Sequence, residues 1–202
     1  MKIETINKII GLDLSLTSTG IAVYSMRGIT TRHEEGYLIH DAQFDIMCTK
    51  TIKTTNKLSM FDRYNEIISG VYKLSDPDEE CFYIIEGYSF GSFGKSSSMS
   101  YLIELGGILR YRLKQDNRDF IIVPPTVLKK FTTGSGNSKK EDMKLWLYKK
   151  YKTEFKTSDE ADAFALMVFG LKYLEIPNKF SLRVTGSEEA CLKQVKGNNG
   201  EW

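Results

Sequence analysis

Residues 6–14 read INKIIGLDL. A run this apolar and β-branched predicts a buried strand. Asp13 lies inside it, and a carboxylate among apolar neighbours is costly unless it binds something. The chain must therefore fold so that one acid is held at the edge of a core. A second run has the same form: Cys81–Glu86, CFYIIE, is apolar up to a terminal acid. Functional sites of open α/β sheets gather at the carboxyl ends of strands, where both acids fall.

The rest of the chain supplies elements around these two strands. Residues 20–26 alternate and predict the second strand of a hairpin, after a turn at Leu16-Thr17-Ser18-Thr19. A third strand is expected within 35–40, within 43–52, or in both. Residues 56–73 place Leu58, Phe61, Tyr64, Ile67, Ile68, Val71 and Tyr72 at helical spacing. A loop rich in Gly, Ser and aromatics over 88–98 leads to a helix at 100–115, then a strand at Asp119–Val123 and a short helix at 126–131. Ser138 with Glu141, and Thr157 with Glu160, have capping-box spacing. They predict helices over 138–151 and 157–174. Strands alternating with helices after an opening meander indicate an α/β fold, a mixed sheet with helices on its faces. The expected domain covers residues 1–177, with a partly mobile extension at 178–202.

A chain of 202 residues suits one domain with a proper core. No apolar run approaches the roughly 18 residues of a membrane helix, and no leader is expected at the start. Cys48, Cys81 and Cys191 are too scattered for a disulfide framework or a zinc site, which points to reduced thiols and a cytoplasmic location. The net charge is only +2. Residues 124–152, however, carry eight lysines against Glu141 and Asp142, so this segment is +6 and the remainder −4. Such a patch suits a surface that tracks phosphates, although a solvated helix face is the plain alternative.

Asp159 and Asp162 stand three apart in the first turn of the last long helix and share a face. Asp162 precedes the apolar run Ala163-Phe164-Ala165-Leu166-Met167, which marks the helix as buried. With Asp13 and Glu86 they make four carboxylates without His or Cys, a donor set for Mg²⁺ or Mn²⁺. Singly, each has a plainer explanation: helix-dipole complementarity for Asp159, a turn before Ser15 for Asp13, a solvated strand end for Glu86.

Taken in order, GLDLSLTSTG, YIIEGYSF, the basic GSGNSKK loop and SDEADAFAL resemble the RuvC family of Holliday-junction resolvases, within the RNase H-like superfamily. The resemblance spans residues 6–174. It implies an RNase H-like five-stranded mixed sheet and a crossover junction endodeoxyribonuclease of DNA recombination and repair. It also implies two metal ions held by Asp13, Glu86, Asp159 and Asp162. Hydrolysis of that kind would leave 5′-phosphate and 3′-hydroxyl ends. The resemblance further implies DNA contacts from Lys129 and Lys140, the latter also catalytic, with Lys130 and Lys139 as neighbours able to substitute. Tyr88 or Phe90 would be the aromatic that probes the junction centre. The expected partner is four-way DNA, bound by a homodimer, with no nucleotide cofactor and no membrane. Leu102, Leu105, Gly106, Leu109 and Leu113 would form the dimer interface, or else pack on their own sheet. Leu14-Ser15 stand where bacterial members carry Pro-Gly, which marks a divergent, phage-type member as the expectation.

Three other readings compete. An actin-like kinase opens with a similar Asp-containing hairpin but needs a second domain. A non-catalytic junction-binding scaffold would not be expected to keep four acids. An RNase H-like nuclease acting on other branched DNA or RNA–DNA hybrids shares every motif.

Overall fold

The computed structural model describes residues 6–26, 29–34, 37–42, 46–75, 80–88, 97–176 and 184–198. In chain order its elements are β1 (Lys8–Asp13), β2 (Ser18–Ser25), β3 (Ile29–Glu34), β4 (Tyr37–Ala42), β5 (Ile46–Lys53), α1 (Met60–Ser75), β6 (Cys81–Glu86), α2 (Ser97–Gln115), β7 (Asp119–Val123), α3 (Pro125–Thr133), α4 (Lys140–Tyr151), α5 (Ser158–Tyr173) and α6 (Gly186–Asn198). The expected α/β architecture is present. The main sheet has five strands in the order β5-β2-β1-β6-β7. Its first three strands are antiparallel, and β1, β6 and β7 run parallel. Both expected sites for a third strand hold one: 43–52 overlaps β5, which joins the main sheet, and 35–40 overlaps β4, which does not. Residues 29–42 form a separate two-stranded hairpin of β3 and β4.

Strand alternation sorts the apolar residues into two layers. Ile10, Leu12, Tyr83 and Ile85 face α1 and α2, where they meet Tyr64, Ile67, Val71, Leu105 and Leu109. Ile9, Phe82 and Ile84 face the other way, against Phe164, Leu166, Met167 and Phe169 of α5. Fully burying one such side chain contributes roughly 1.5–3 kcal/mol. Leu105, Leu109 and Leu113 are completely buried against their own sheet, so these three are not surface residues of a dimer interface. Phe61, read as part of the buried stripe of α1, is 70% exposed.

α5 is buried along its length from Glu160 to Lys172. It can lie this close because two strand positions lack side chains. A Cβ at Gly11 would fall 2.1 Å from the carbonyl oxygen of Ala163, and one at Gly20 would fall 2.0 Å from that of Asp159. Thr157 caps the helix as its spacing predicted, accepting a hydrogen bond from the Glu160 N–H at 3.1 Å. The return bond goes to Lys156, whose N–H donates to Glu160. α4 begins later than expected: Lys139 is the cap, its N–H donating to Asp142, while Ser138 bonds to Thr133 and Ser135.

Where the sequence suggested a partly mobile extension, residues 186–198 form α6. Cys191, Leu192 and Val195 bury in the same core layer as α5. Glu188, 1% exposed, accepts hydrogen bonds from Lys150 of α4 at 2.5 Å, from Lys172 of α5 at 2.8 Å and from the Thr185 N–H at 2.7 Å. The three cysteines are free thiols. Among the described residues no helix is long and apolar enough to cross a membrane.

Candidate active site

Period-two alternation directs Asp13 to the same side as Ile9 and Gly11, and Glu86 to the same side as Phe82 and Ile84. That is the α5 side. Both acids end their strands, and those strands are adjacent and parallel, with Leu12 beside Ile85. α5 runs so that its first turn meets this end of the sheet: Gly20, the register partner of Asp13, touches the backbone of Asp159. Three elements thus deliver Asp13, Glu86, Asp159 and Asp162 to one place.

Lys140, the first residue of α4, stands among them. Its ammonium lies 3.9 Å from Asp159 Oδ1 and 3.8 Å from Asp162 Oδ2. Burial works against that charge, but Asp162, Asp13, Asp159 and Glu86 outweigh it and hold the Lys140 ammonium above its usual pKa. The carboxylates are strained in the opposite sense. Burial, then the neighbouring Glu86 charge, raise Asp13 well above the ordinary aspartate range. Burial raises Glu86 as well, although a hydrogen bond with Asp13 opposes the shift. Asp162 is pushed up to about 7 by burial and then by the charge of Asp13. Like charges held together in a dry place call for a cation. Glu160, the fifth acid here, is a structural residue, occupied by the Lys156 N–H and Thr51.

All four donors are carboxylates, a set that suits hard cations. Among the described residues, no three acids are gathered closely enough to hold one ion as they stand. Pairs of carboxylates, with the remaining positions left to water and substrate phosphate, are the usual protein share of a Mg²⁺ site. The chemistry of the donor set fits such ions.

Two adjoining clefts lead to the acids and share Leu14, Met99, Leu102 and Lys140. One, of about 260 Å³, is lined by Glu86, Asp162, Lys129 and Tyr88. The other, of about 570 Å³, is lined by Asp13, Asp159, Ser15, Thr17, Asn56 and Arg63. The Lys129 charge reaches Glu86 and Asp162 and offsets a small part of the upward shift of each. Lys139 is exposed at the start of α4. Lys130 is exposed on α3, and its charge reaches Cys191 of α6. The structure therefore brings Lys129 and Lys140 to the acids and turns Lys130 toward α6.

Tyr88 lines the first cleft, but its hydroxyl is engaged with α2. It donates to the Ile103 carbonyl at 3.2 Å, and Arg110 lies 5.6 Å from the ring centre. Gly106 makes room for it, since a Cβ there would meet the hydroxyl at 1.9 Å. Phe90 lies outside the described residues.

Two site residues were missed from sequence. Ser18 donates to Asp159 Oδ2 at 2.5 Å, yet it read only as part of a turn. Arg63 lines the second cleft. A basic residue four positions before Ile67, on the buried stripe of α1, was the available signal.

The fold is similar to that of Thermus thermophilus RuvC, with a TM-score of 0.58 and 19% identity over 80% of this chain and 91% of that one. Thermus thermophilus RuvC in complex with Holliday junction substrate gives 0.57 and 16%, over 80% and 90%. The yeast mitochondrial Holliday junction resolvase Ydc2 gives 0.51 and 13%, over 96% and 83%. No protein-family model and no curated protein matches the chain. The fold is thus similar to that of RuvC and of Ydc2.

Proposed function

We propose that the chain is a structure-selective endodeoxyribonuclease that resolves four-way DNA junctions by hydrolysing phosphodiesters. One observation carries this reading: Asp13, Glu86, Asp159 and Asp162 converge from three elements around Lys140, where two clefts adjoin, one of them flanked by Lys129. Solved structures with a similar fold, RuvC in complex with a Holliday junction substrate and the Holliday junction resolvase Ydc2, support the choice of substrate.

Asp13 and Glu86 would hold one side of a two-cation site, Asp159 and Asp162 the other. When bound, Mg²⁺ or Mn²⁺ supplies the Lewis acidity that phosphodiester hydrolysis needs. Ser18 fixes the Asp159 carboxylate for that task. Lys140 and Lys129 neutralise negative charge on the phosphate, most in the transition state, where a preorganised cation counts for most. Lys139, exposed beside Lys140, extends the basic wall. Products would be 5′-phosphate and 3′-hydroxyl ends. Symmetric cutting of a two-fold substrate calls for a homodimer with one site per subunit.

The test is a labelled synthetic four-way junction beside a linear duplex and an RNA–DNA hybrid, each with Mg²⁺ and with EDTA. Paired nicks in opposite junction strands, lost with EDTA and in Asp13→Asn, are expected. Hybrid cleavage that outpaces junction cleavage would move the substrate to RNA–DNA, and binding without any cut would leave a scaffold.

A further inference from the structure

Arg63 has a place that packing alone does not explain. Its residue is 7% exposed, so a guanidinium that is always charged has been taken largely out of water. Such a charge is costly unless an anion answers it. Among the described residues none does. Arg63 Nη2 donates to the Leu16 carbonyl at 2.5 Å, Nε to Thr54 Oγ1 at 3.3 Å, and Nη1 to the Met60 sulfur at 3.5 Å. All three partners are neutral, and among the described residues Arg63 forms no ion pair. A guanidinium has five N–H groups, so two remain to be used.

The cleft beside it is chemically suited to an anion with several oxygens. Ser15 and Thr17 of the β1–β2 turn and Asn56, all residues with hydrogen-bonding side chains, line it with Arg63, and the Ser15 and Thr17 hydroxyls lie 3.5 Å apart. Asp13, Asp159 and Lys140 line the same cleft, so whatever sits at Arg63 is next to the reacting centre. The carboxylates there would repel a free anion, whereas a phosphate tethered to the strand being cut is carried in by that strand.

We propose that Arg63, with Ser15, Thr17 and Asn56, forms a second phosphate site, which binds a backbone phosphate of the cleaved strand near the one hydrolysed. Lys129 lies in the other cleft, so the strand would cross the acids between two cationic anchors. This assignment rests on the reading of the chain as a DNA nuclease.

The test is a set of four-way junctions, each with one neutral methylphosphonate in the cut strand. Binding is measured with Ca²⁺ in place of Mg²⁺, for wild type, Arg63→Gln and Arg63→Lys. Thermal melts report whether each variant is folded; Arg63→Lys, which keeps the charge but loses the fork, carries the comparison if Arg63→Gln is not. One replacement beside the cut is expected to weaken wild type about tenfold or more, as loss of a charge-assisted hydrogen bond does. The same replacement should have no further effect in Arg63→Gln and a reduced one in Arg63→Lys. Inorganic phosphate at matched ionic strength should not displace the DNA; displacement at low concentration would make the site one for free phosphate. If the Arg63 variants weaken binding additively with every replacement, the residue only pins the Leu16 turn and the site is overturned. A wild-type protein that neither binds nor cuts DNA would overturn the nuclease reading itself, a different result.

Discussion

Gly20 lies against the carbonyl of Asp159, with no room between β2 and the first turn of α5 for even a methyl group. The contact is backbone on backbone, so neither side can rotate away. Gly20→Ala should displace the start of α5 and cost about 1–3 kcal/mol, as overpacking does. Because Asp159 and Asp162 move with that turn, divalent-cation affinity should fall together with urea stability. A variant that lost stability but kept full cation affinity would show that the site does not depend on this contact.

The carboxylates predict how the cation-free protein responds to pH. Asp162 titrates near 7 when folded against an ordinary value near 3.8, and Asp13 and Glu86 shift the same way. The folded chain therefore keeps protons that the unfolded chain releases. The stability they contribute is full at low pH and is lost as pH rises through about 7. In EDTA, melting temperature should fall between pH 5 and pH 8, by roughly 2–4 °C per kcal/mol for a chain this size. Mg²⁺ at pH 8 should restore it, and Asp162→Asn should flatten the profile. A flat wild-type profile in EDTA would contradict the electrostatics described.

Lys140 serves as internal counter-ion to the four acids. Lys140→Gln should bind Mn²⁺ more tightly, because a competing cation is gone, while cleavage falls about 10²–10³-fold, as when one preorganised donor is removed from a reacting centre. Calorimetry and single-turnover cleavage read the two effects separately. Weaker Mn²⁺ binding in this variant would mean that the lysine organises the acids and does not compete for them.

Lys129 flanks Glu86 and Asp162 from α3. Lys129→Ala should weaken junction binding and reduce the slope of log affinity against log salt by about 1. An unchanged slope would place the lysine away from DNA phosphates.

Glu188 joins the far ends of α4 and α5, whose near ends hold Lys140, Asp159 and Asp162. Glu188→Ala leaves Lys172 buried without its partner and should cost about 3–5 kcal/mol by chemical denaturation. Glu188→Gln, which keeps an acceptor, should cost less. Equal losses would show that charge pairing dominates over hydrogen bonding at this position.

β1, β6 and β7 were legible because sheet burial writes itself as continuous apolar runs, and α5 because its cap and its apolar run coincide. The acids were legible for a related reason, since Asp13 and Glu86 each interrupt an apolar run at its carboxyl end. Other parts were not. β3 (ITTRHE) is too polar to stand out, and although a strand was expected within 35–40, where β4 (YLIHDA) falls, its pairing in a hairpin apart from the main sheet was not. α6 has few apolar residues among its charges, and its docking depends on ion pairs made far away in sequence. Ser18 reads as an ordinary turn residue, and Arg63 as one polar position on the buried stripe of α1, until the fold sets Ser18 against Asp159 and Arg63 in the cleft that Asp13 also lines.

The parallel pairing of β1 with β6 and the seating of α5 across β1 and β2 also bear on how the chain comes to be active. The acids are contributed by segments near the start, middle and later part of the sequence. No hairpin or local helix pair contains more than two of them. Until the long-range strand pairing has closed and α5 has docked, the carboxylates are scattered along the chain. A nascent or partly unfolded copy therefore carries none of the cutting power proposed for the finished one. For a chain with the proposed activity this topology is itself a safeguard: the site exists only once the long-range strand pairing and the docking of α5 are both in place.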